Sequence, residues 1–332
     1  MHLREDAFFA CGPEHKKETA MPEYILNLLP VKEEEKAEFQ AIAPDATHVY
    51  AGRRTVTPEQ LAQATILMGW PRQRDMKHCV KLKWFQTMWA GTDEYEGEGI
   101  LPEGILLTSA SGSNRRSVAE HMLASLLALC RKLPTYRDSQ RSHRWEDEGS
   151  MKTLLDSTVL VVGAGNIGST FAGMCQALGA HTIGLKRTVT GPVAGFDQVR
   201  PMEQLDELLP QADMVALTLP HNAQSAGLMN ADRIARMKDD AILMNAGRGT
   251  AVDQDALARA MRNGKLWGAA LDVTVPEPLP ADSPLWDIPN LLLTPHVAGG
   301  MRLELTRRTC IQMAQDNLRR YLAGEPLKNR VR

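Results

Sequence analysis

Three side chains in the second half of the chain have the right types for moving a hydride and a proton. Arg248 lies in NAGRGTAVD (245–253), directly after an apolar run, Glu277 in LDVTVPEPLP (271–280) and His296 in TPHVAGG (294–300). Each follows a short aliphatic segment. Each is therefore expected near the C-terminal end of a strand, where open α/β sheets bind ligands. Reducing a 2-oxo acid needs a cation to hold the carboxylate and polarise the ketone, plus an acid to protonate the new alkoxide. A guanidinium fork suits the first task because it meets a carboxylate with two parallel hydrogen bonds. An imidazole suits the second because it titrates near neutrality. A glutamate on the other ring nitrogen would fix the ring and favour its protonated form. Taken singly, Arg248 also reads as half of a surface ion pair, Glu277 as a turn acid and His296 as a packed core imidazole. A signal upstream of them favours the joint reading.

That signal is Gly163-Ala164-Gly165-Asn166-Ile167-Gly168, a GxGxxG between the β-branched run TVLVV (158–162) and a helical pattern. In a strand-to-helix turn, the first glycine permits the tight bend and the second lets the backbone approach a pyrophosphate. The third lets helix pack on strand, and the helix N-terminus offers unpaired N–H groups to the phosphates. Gly163, Gly165, Asn166, Ile167 and Gly168 are therefore assigned to a dinucleotide. Pro220 and Ala246, just past the apolar runs at 214–219 and 241–245, are assigned to the same site. A site that prefers NAD places a carboxylate at the end of the next strand, on the ribose hydroxyls. Here Lys186-Arg187-Thr188 stands there, with no acid between Gly184 and Gly195. Solvated surface charges are one reading. The other is that Lys186 and Arg187 attract a 2′-phosphate and Thr188 donates to it, which favours NADP over NAD.

On these motifs the chain resembles the D-isomer-specific 2-hydroxyacid dehydrogenases. GAGNIG, NAGRG with V-D, LDV…EPL and TPH occur in the family's order and spacing, within a similarity running from about residue 47 to 328. The resemblance implies that Arg248 binds substrate, Glu277 supports His296, and His296 is the acid/base. It implies that Asp272 contacts the nicotinamide carboxamide. Trp89-Ala90-Gly91-Thr92-Asp93 looks like the family's S-A-G-V-D loop, whose backbone amides hold the substrate carboxylate, so Trp89, Ala90 and Gly91 are assigned to substrate. V-A-E-H (118–121) matches a helix that packs in a two-fold homodimer. Lys186 departs from the family's acid, and Trp89 replaces a small residue, which implies a narrower or more apolar pocket. A phosphite-type dehydrogenase would keep the same Arg, Glu and His. A dinucleotide-sensing protein akin to corepressors would keep the fold without turnover. Glyoxylate, hydroxypyruvate, pyruvate and longer branched or aromatic oxo acids all fit the constellation.

Two series of strands alternating with helices must position these residues. The first has strands in YILNLLP (24–30), THVYAG (47–52), TILMGWP (65–71), KLKWFQTMWAG (81–91) and ILLTSA (105–110), with helices at 31–44 and 57–64. The second runs from 158 to 300, with strands at 158–162, 181–185, 214–219, 241–245, 268–273 and 291–295. Such alternation means βαβ units and parallel sheets. The expected architecture is α/β: two Rossmann-like, doubly wound parallel-sheet domains with the active-site cleft between them. Residues 1–111 and 298–332 form a discontinuous substrate domain, and 112–297 the dinucleotide-binding domain. The latter includes an apolar helix at 116–133, read as a core helix or a dimer interface, and an exposed arm at 134–150. On that arm Trp145 could reach a partner's active site or stay at the surface. Arg115-Arg116 is a solvated helix start or an anion contact. The long helix at 302–324 could cross back onto the first domain, and residues 1–23 fit no element.

Composition narrows the class. The chain has 332 residues, about twice the ~150-residue prior for one domain. Lys+Arg 38 against Asp+Glu 40 leaves a net charge of −2, unlike the basic excess of a nucleic-acid binder. No apolar run approaches the ~18 residues of a membrane span, and the charged N-terminus has no uninterrupted apolar stretch of a secretory signal. Five scattered cysteines without a CxxC pair read as reduced thiols of a cytoplasmic protein, with no metal site.

Overall fold

The computed structural model describes residues 22–332. The first series comprises β1 (Tyr24–Asn27), α1 (Glu33–Ile42), β2 (Thr47–Tyr50), α2 (Pro58–Gln63), β3 (Ile66–Gly69), β4 (Trp84–Thr87) and β5 (Leu106–Thr108). These strands form one sheet in the order β2-β1-β3-β4-β5, every pairing parallel. Two helices, α3 (Arg115–Cys130) and α4 (Leu133–Arg141), lead to the second series. It contains β6 (Thr158–Val162), α5 (Asn166–Ala177), β7 (His181–Lys186), β8 (Gln198–Pro201), α6 (Leu205–Leu208), β9 (Met214–Leu217) and α7 (Ala231–Arg236). It continues through β10 (Ile242–Asn245), α8 (Gln254–Arg262), β11 (Gly268–Leu271) and β12 (Leu291–Leu293), and α9 (Glu304–Ala323) follows. The second sheet is also wholly parallel, in the order β12-β11-β10-β9-β6-β7-β8.

Local chemistry explains many boundaries. Thr57 caps α2 by accepting from the Gln60 amide, and Pro58 fills the first turn, where its missing N–H costs nothing. β3, β4, β9, β10 and β11 are buried at every position, as strands covered on both faces require. That is why β3, β9 and β11 read as unbroken apolar runs. The strand order of the second sheet reverses between β6 and β9. Chains leave those two strands in opposite directions and open a crevice at their C-terminal ends.

Three expectations need correction, and one strand was missed. The helix expected over 116–133 ends at Cys130, and Lys132, with φ +53°, turns the chain into α4. Pro134 accounts for the break, since it has no N–H to continue the ladder to Cys130. Part of the expected arm, 134–150, is therefore helical, and Trp145 stands fully exposed beyond it. Nor is α3 apolar all round, because Arg116, Glu120, Ala124 and Leu127 form an exposed stripe. The strand β8 was not expected. It is a four-residue edge strand with alternating exposure, so it carries no apolar run.

Helix α9 packs Cys310, Ile311, Ala314 and Leu318 against Ile25, Phe39, Ile66 and Trp84 of the first sheet and its helix. One ion cluster pins it there. Arg307 donates from Nη1 to Glu35 Oε2 at 2.7 Å and from Nη2 to Glu35 Oε1 at 2.8 Å, and also reaches Glu304. Both Arg307 and Glu35 are 8% exposed. The guanidinium beside it holds the Glu35 carboxyl below its ordinary value of 4.5. Arg307→Ala strands a buried carboxylate and is expected to cost roughly 2 kcal/mol in urea unfolding, less than a fully enclosed pair because the Glu304 side is open to water. A depressed carboxylate stabilises the fold above its unfolded value and loses that effect as pH falls through the folded one. The gap between wild type and variant should therefore narrow below pH 4.5.

Cys79, Cys130, Cys175 and Cys310 are buried and free. Burial pushes the Cys79, Cys175 and Cys310 thiols up to about 12 and Cys130 to about 11, which makes them poor nucleophiles. Cys11 lies outside the described residues. No described helix is long and apolar enough to cross a membrane, and no group of metal-binding side chains occurs among the described residues.

Candidate active site

The glycine-rich turn after β6 sits in the crevice between β6 and β9. Gly163 adopts φ +114°, and a Cβ on Gly168 would stand 2.2 Å from the Gly163 carbonyl oxygen, so neither position accepts a side chain. A Cβ on Gly165 would meet nothing within 4 Å. That open side, at the N-terminus of α5, has the room and the polarity for a pyrophosphate. The Gly163 and Ala164 amides both donate to the Leu185 carbonyl, at 3.1 and 2.9 Å. This ties the turn to the end of β7, so Lys186, Arg187 and Thr188 follow directly beside it. Arg187 and Thr188 are exposed, Lys186 is half-buried, and neither cation forms an ion pair among the described residues. Pro220 and Ala246 lie beyond the ends of β9 and β10, on the same edge of the sheet. The residues present thus fit a dinucleotide.

Arg248 is aimed by the turn that follows β10. Asn245 closes this turn, donating from Nδ2 to the Arg248 carbonyl at 2.8 Å and accepting from the Gly247 amide at 3.0 Å. The guanidinium reaches across to the loop after β4. There Nε donates to Asp93 Oδ2 at 3.1 Å, Nη2 lies 3.1 Å from the same oxygen, and Nη1 donates to the Gly247 carbonyl. Asp93 thus occupies one edge of the fork, and the terminal edge keeps N–H groups for a ligand. A Cβ on Gly91 would stand 2.0 Å from Arg248 Nη2, so only glycine lets the loop lie against the guanidinium. The Trp89 indole instead packs edge-on to Trp70, 5.4 Å away, against the core.

Glu277 and His296 meet on the other side of the cleft, where Glu277 Oε2 lies 2.8 Å from His296 Nδ1. Glu277 Oε1 accepts from the Thr274 amide at 3.1 Å, which fixes the carboxylate. His296 has φ +51°, a left-handed conformation unusual for a side chain of this size. Asp272 holds it there. Its buried carboxylate accepts from Thr294 Oγ1 at 2.7 Å and from the Val297 and Ala298 amides at 2.9 and 3.1 Å. The His296 amide donates to the Asp272 carbonyl at 2.8 Å. Behind this group, His121 of α3 has Nε2 3.1 Å from Thr294 Oγ1. In this geometry Asp272 positions the loop that presents His296.

One cleft of about 340 Å³ brings Arg248, Glu277 and His296 together with Asp93, His221 and Thr250. Sequence reasoning missed three residues of this layout. Asp93 lay inside the quoted loop and was not paired with Arg248. His121 lay inside V-A-E-H and was read only as packing. His221 follows Pro220 directly, and an unpaired histidine after a strand end was the available signal.

A family model described as "D-isomer specific 2-hydroxyacid dehydrogenase, NAD binding domain" matches residues 123–298. The D-3-phosphoglycerate dehydrogenase of Mycobacterium leprae is 36% identical over 246 residues, covering 74% of this chain and 46% of that protein. The match thus takes in about half of that relative's length. The solved structure of a D-isomer specific 2-hydroxyacid dehydrogenase family protein from Aeromonas salmonicida superposes with a TM-score of 0.84 at 32% identity, covering 93% of this chain and 99% of the other. The D-isomer specific 2-hydroxyacid dehydrogenase from Xanthobacter autotrophicus, solved in complex with NADPH and MES, gives 0.78 at 29% identity, with 94% and 98% covered.

Proposed function

Because the chain belongs to the D-isomer specific 2-hydroxyacid dehydrogenase family, we propose that it reduces a 2-oxo acid to a D-2-hydroxy acid, and catalyses the reverse, with NADPH as the preferred reductant. The observation that carries this reading is the His296–Glu277 pair facing the Arg248 fork across one cleft. The turn at 163–168 with Lys186, Arg187 and Thr188 would hold the dinucleotide, which when bound would supply a hydride to C2 of the substrate. The open edge of Arg248 binds the substrate carboxylate and polarises the ketone, aided by the backbone amides of the loop at 89–91. His296, oriented through Nδ1 by Glu277, delivers its Nε2 proton to the alkoxide oxygen. Asp272 keeps the His296 loop in its left-handed turn. Cofactor preference rests on charge: Lys186 and Arg187 follow the end of β7 beside the glycine turn, where a site that prefers NAD carries an acid, and the relative from Xanthobacter autotrophicus was solved with NADPH.

The substrate domain in this reading is 1–111 with 298–332, and the dinucleotide domain 112–297, closing on each other around the ligands. The exposed stripe of α3, ending at Leu127, supports a two-fold homodimer through this helix. Initial rates of NADPH and NADH oxidation test the reaction. The panel is glyoxylate, hydroxypyruvate, pyruvate, phenylpyruvate and 2-oxoisocaproate, with D-3-phosphoglycerate run in the oxidative direction because the Mycobacterium leprae relative is named for it. Turnover of at least one oxo acid, faster with NADPH, is the expected result. Dinucleotide binding without turnover of any would instead support a phosphite-type enzyme or a sensor.

A further inference from the structure

His221 is a second imidazole on the wall of the cleft, and no step of the reaction above uses it. Its Nδ1 lies 3.0 Å from Thr250 Oγ1. Thr250 is two residues past Arg248, so the ring is tied to the turn that carries the substrate anchor. His296 is tied similarly, through Nδ1 to Glu277. Each ring therefore leaves Nε2 as its unused polar atom, and neither Nε2 has a hydrogen-bond partner among the described residues. The other polar groups of the wall are engaged. Asp93 takes the Nε edge of Arg248, Glu277 takes His296 and Thr274, and the Thr274 hydroxyl donates to the Pro276 carbonyl. In the reaction above, the open edge of Arg248 is taken up by the substrate carboxylate and ketone.

Resting on the reduction proposed above, we propose that His221 is a specificity-determining residue that hydrogen-bonds a second oxygen-bearing group of the substrate. The preferred substrates are then 2-oxo acids with a hydroxyl or carboxylate on C3, not plain alkyl or aromatic ones. Neutral imidazole offers one donor or one acceptor at Nε2, and the protonated ring a donor, so both groups can be met.

The test compares kcat/KM for hydroxypyruvate and oxaloacetate with that for pyruvate and 2-oxobutyrate. His221→Leu keeps a side chain of similar bulk and removes both nitrogens. It is expected to lower the polar-to-alkyl ratio about tenfold, the effect of losing one substrate hydrogen bond. Thr250→Val frees the ring and should lower the ratio less, whereas His221→Gln should keep much of it. NADPH affinity, read from fluorescence quenching, should hold in all three. An equal loss on all four substrates, or weakened NADPH binding, would overturn the inference. So would an active wild type that does not favour the polar pair. A wild type that reduces none of the four but does reduce another oxo acid of the wider panel overturns His221's role alone, whereas one that reduces no oxo acid overturns the reduction itself.

Discussion

His296→Ala is expected to lower kcat by about a thousandfold, the middle of the range for loss of a positioned general acid, while NADPH still binds with wild-type affinity. The second half of that expectation follows from where the ring stands. His296 is half-exposed in the cleft and is tied to Glu277, whereas the turn at 163–168 and the Lys186–Thr188 segment belong to β6 and β7, on the other half of the sheet. Truncating the ring leaves the backbone bonds from Val297 and Ala298 to Asp272, so the loop should keep its path. Glu277→Gln provides the graded control. It can still meet Nδ1 but only as a neutral partner, so kcat should fall by roughly ten- to a hundredfold, about half of the full effect on a free-energy scale. Single-turnover rates with bound NADPH would separate chemistry from product release. Unchanged turnover in His296→Ala would remove the residue from the mechanism.

How far the site was legible in the sequence depended on what each signal encodes. The strand β6 was read to its exact ends because a β-branched run meets a glycine turn whose every residue has a steric reason. Arg248, Glu277 and His296 were legible as strand-end residues because parallel strands place their C-terminal ends on one edge of a sheet. Spacing along the chain says nothing about which loops face each other across two sheets. Asp93 is 155 residues from Arg248, and their contact depends on how the first sheet is set against the second. The same holds for His121, which reaches Thr294 across 173 residues. The break between α3 and α4 is a different case. The expected helix stopped at 133, directly before Pro134, but the missing N–H of that proline removes the bond to Cys130, so the break falls three residues earlier. β8 left no trace because an exposed edge strand needs no apolar pattern at all.

Exchanging Lys186→Asp together with Arg187→Ala is expected to move the ratio of kcat/KM for NADPH over NADH about a thousandfold toward NADH. Two charge-assisted contacts to a phosphate contribute about 1.5–3 kcal/mol each in favourable geometry, and partial exposure lowers that at this site. Losing them together is expected to account for about a hundredfold. The new carboxylate adds the remainder by repelling the 2′-phosphate and accepting from the ribose hydroxyls of NADH. The backbone makes the exchange a local one. Leu185 receives both the Gly163 and Ala164 amides, so residue 186 stays beside the glycine turn whatever its side chain. Because Arg187 is exposed, its part of the NADPH advantage should also weaken as salt rises, and that of the half-buried Lys186 less so. Apparent KM values for both dinucleotides at saturating oxo acid, measured at low and high ionic strength, separate these contributions. A double variant that still prefers NADPH would mean that the 2′-phosphate is read by other groups, and Thr188 would be the next residue to replace.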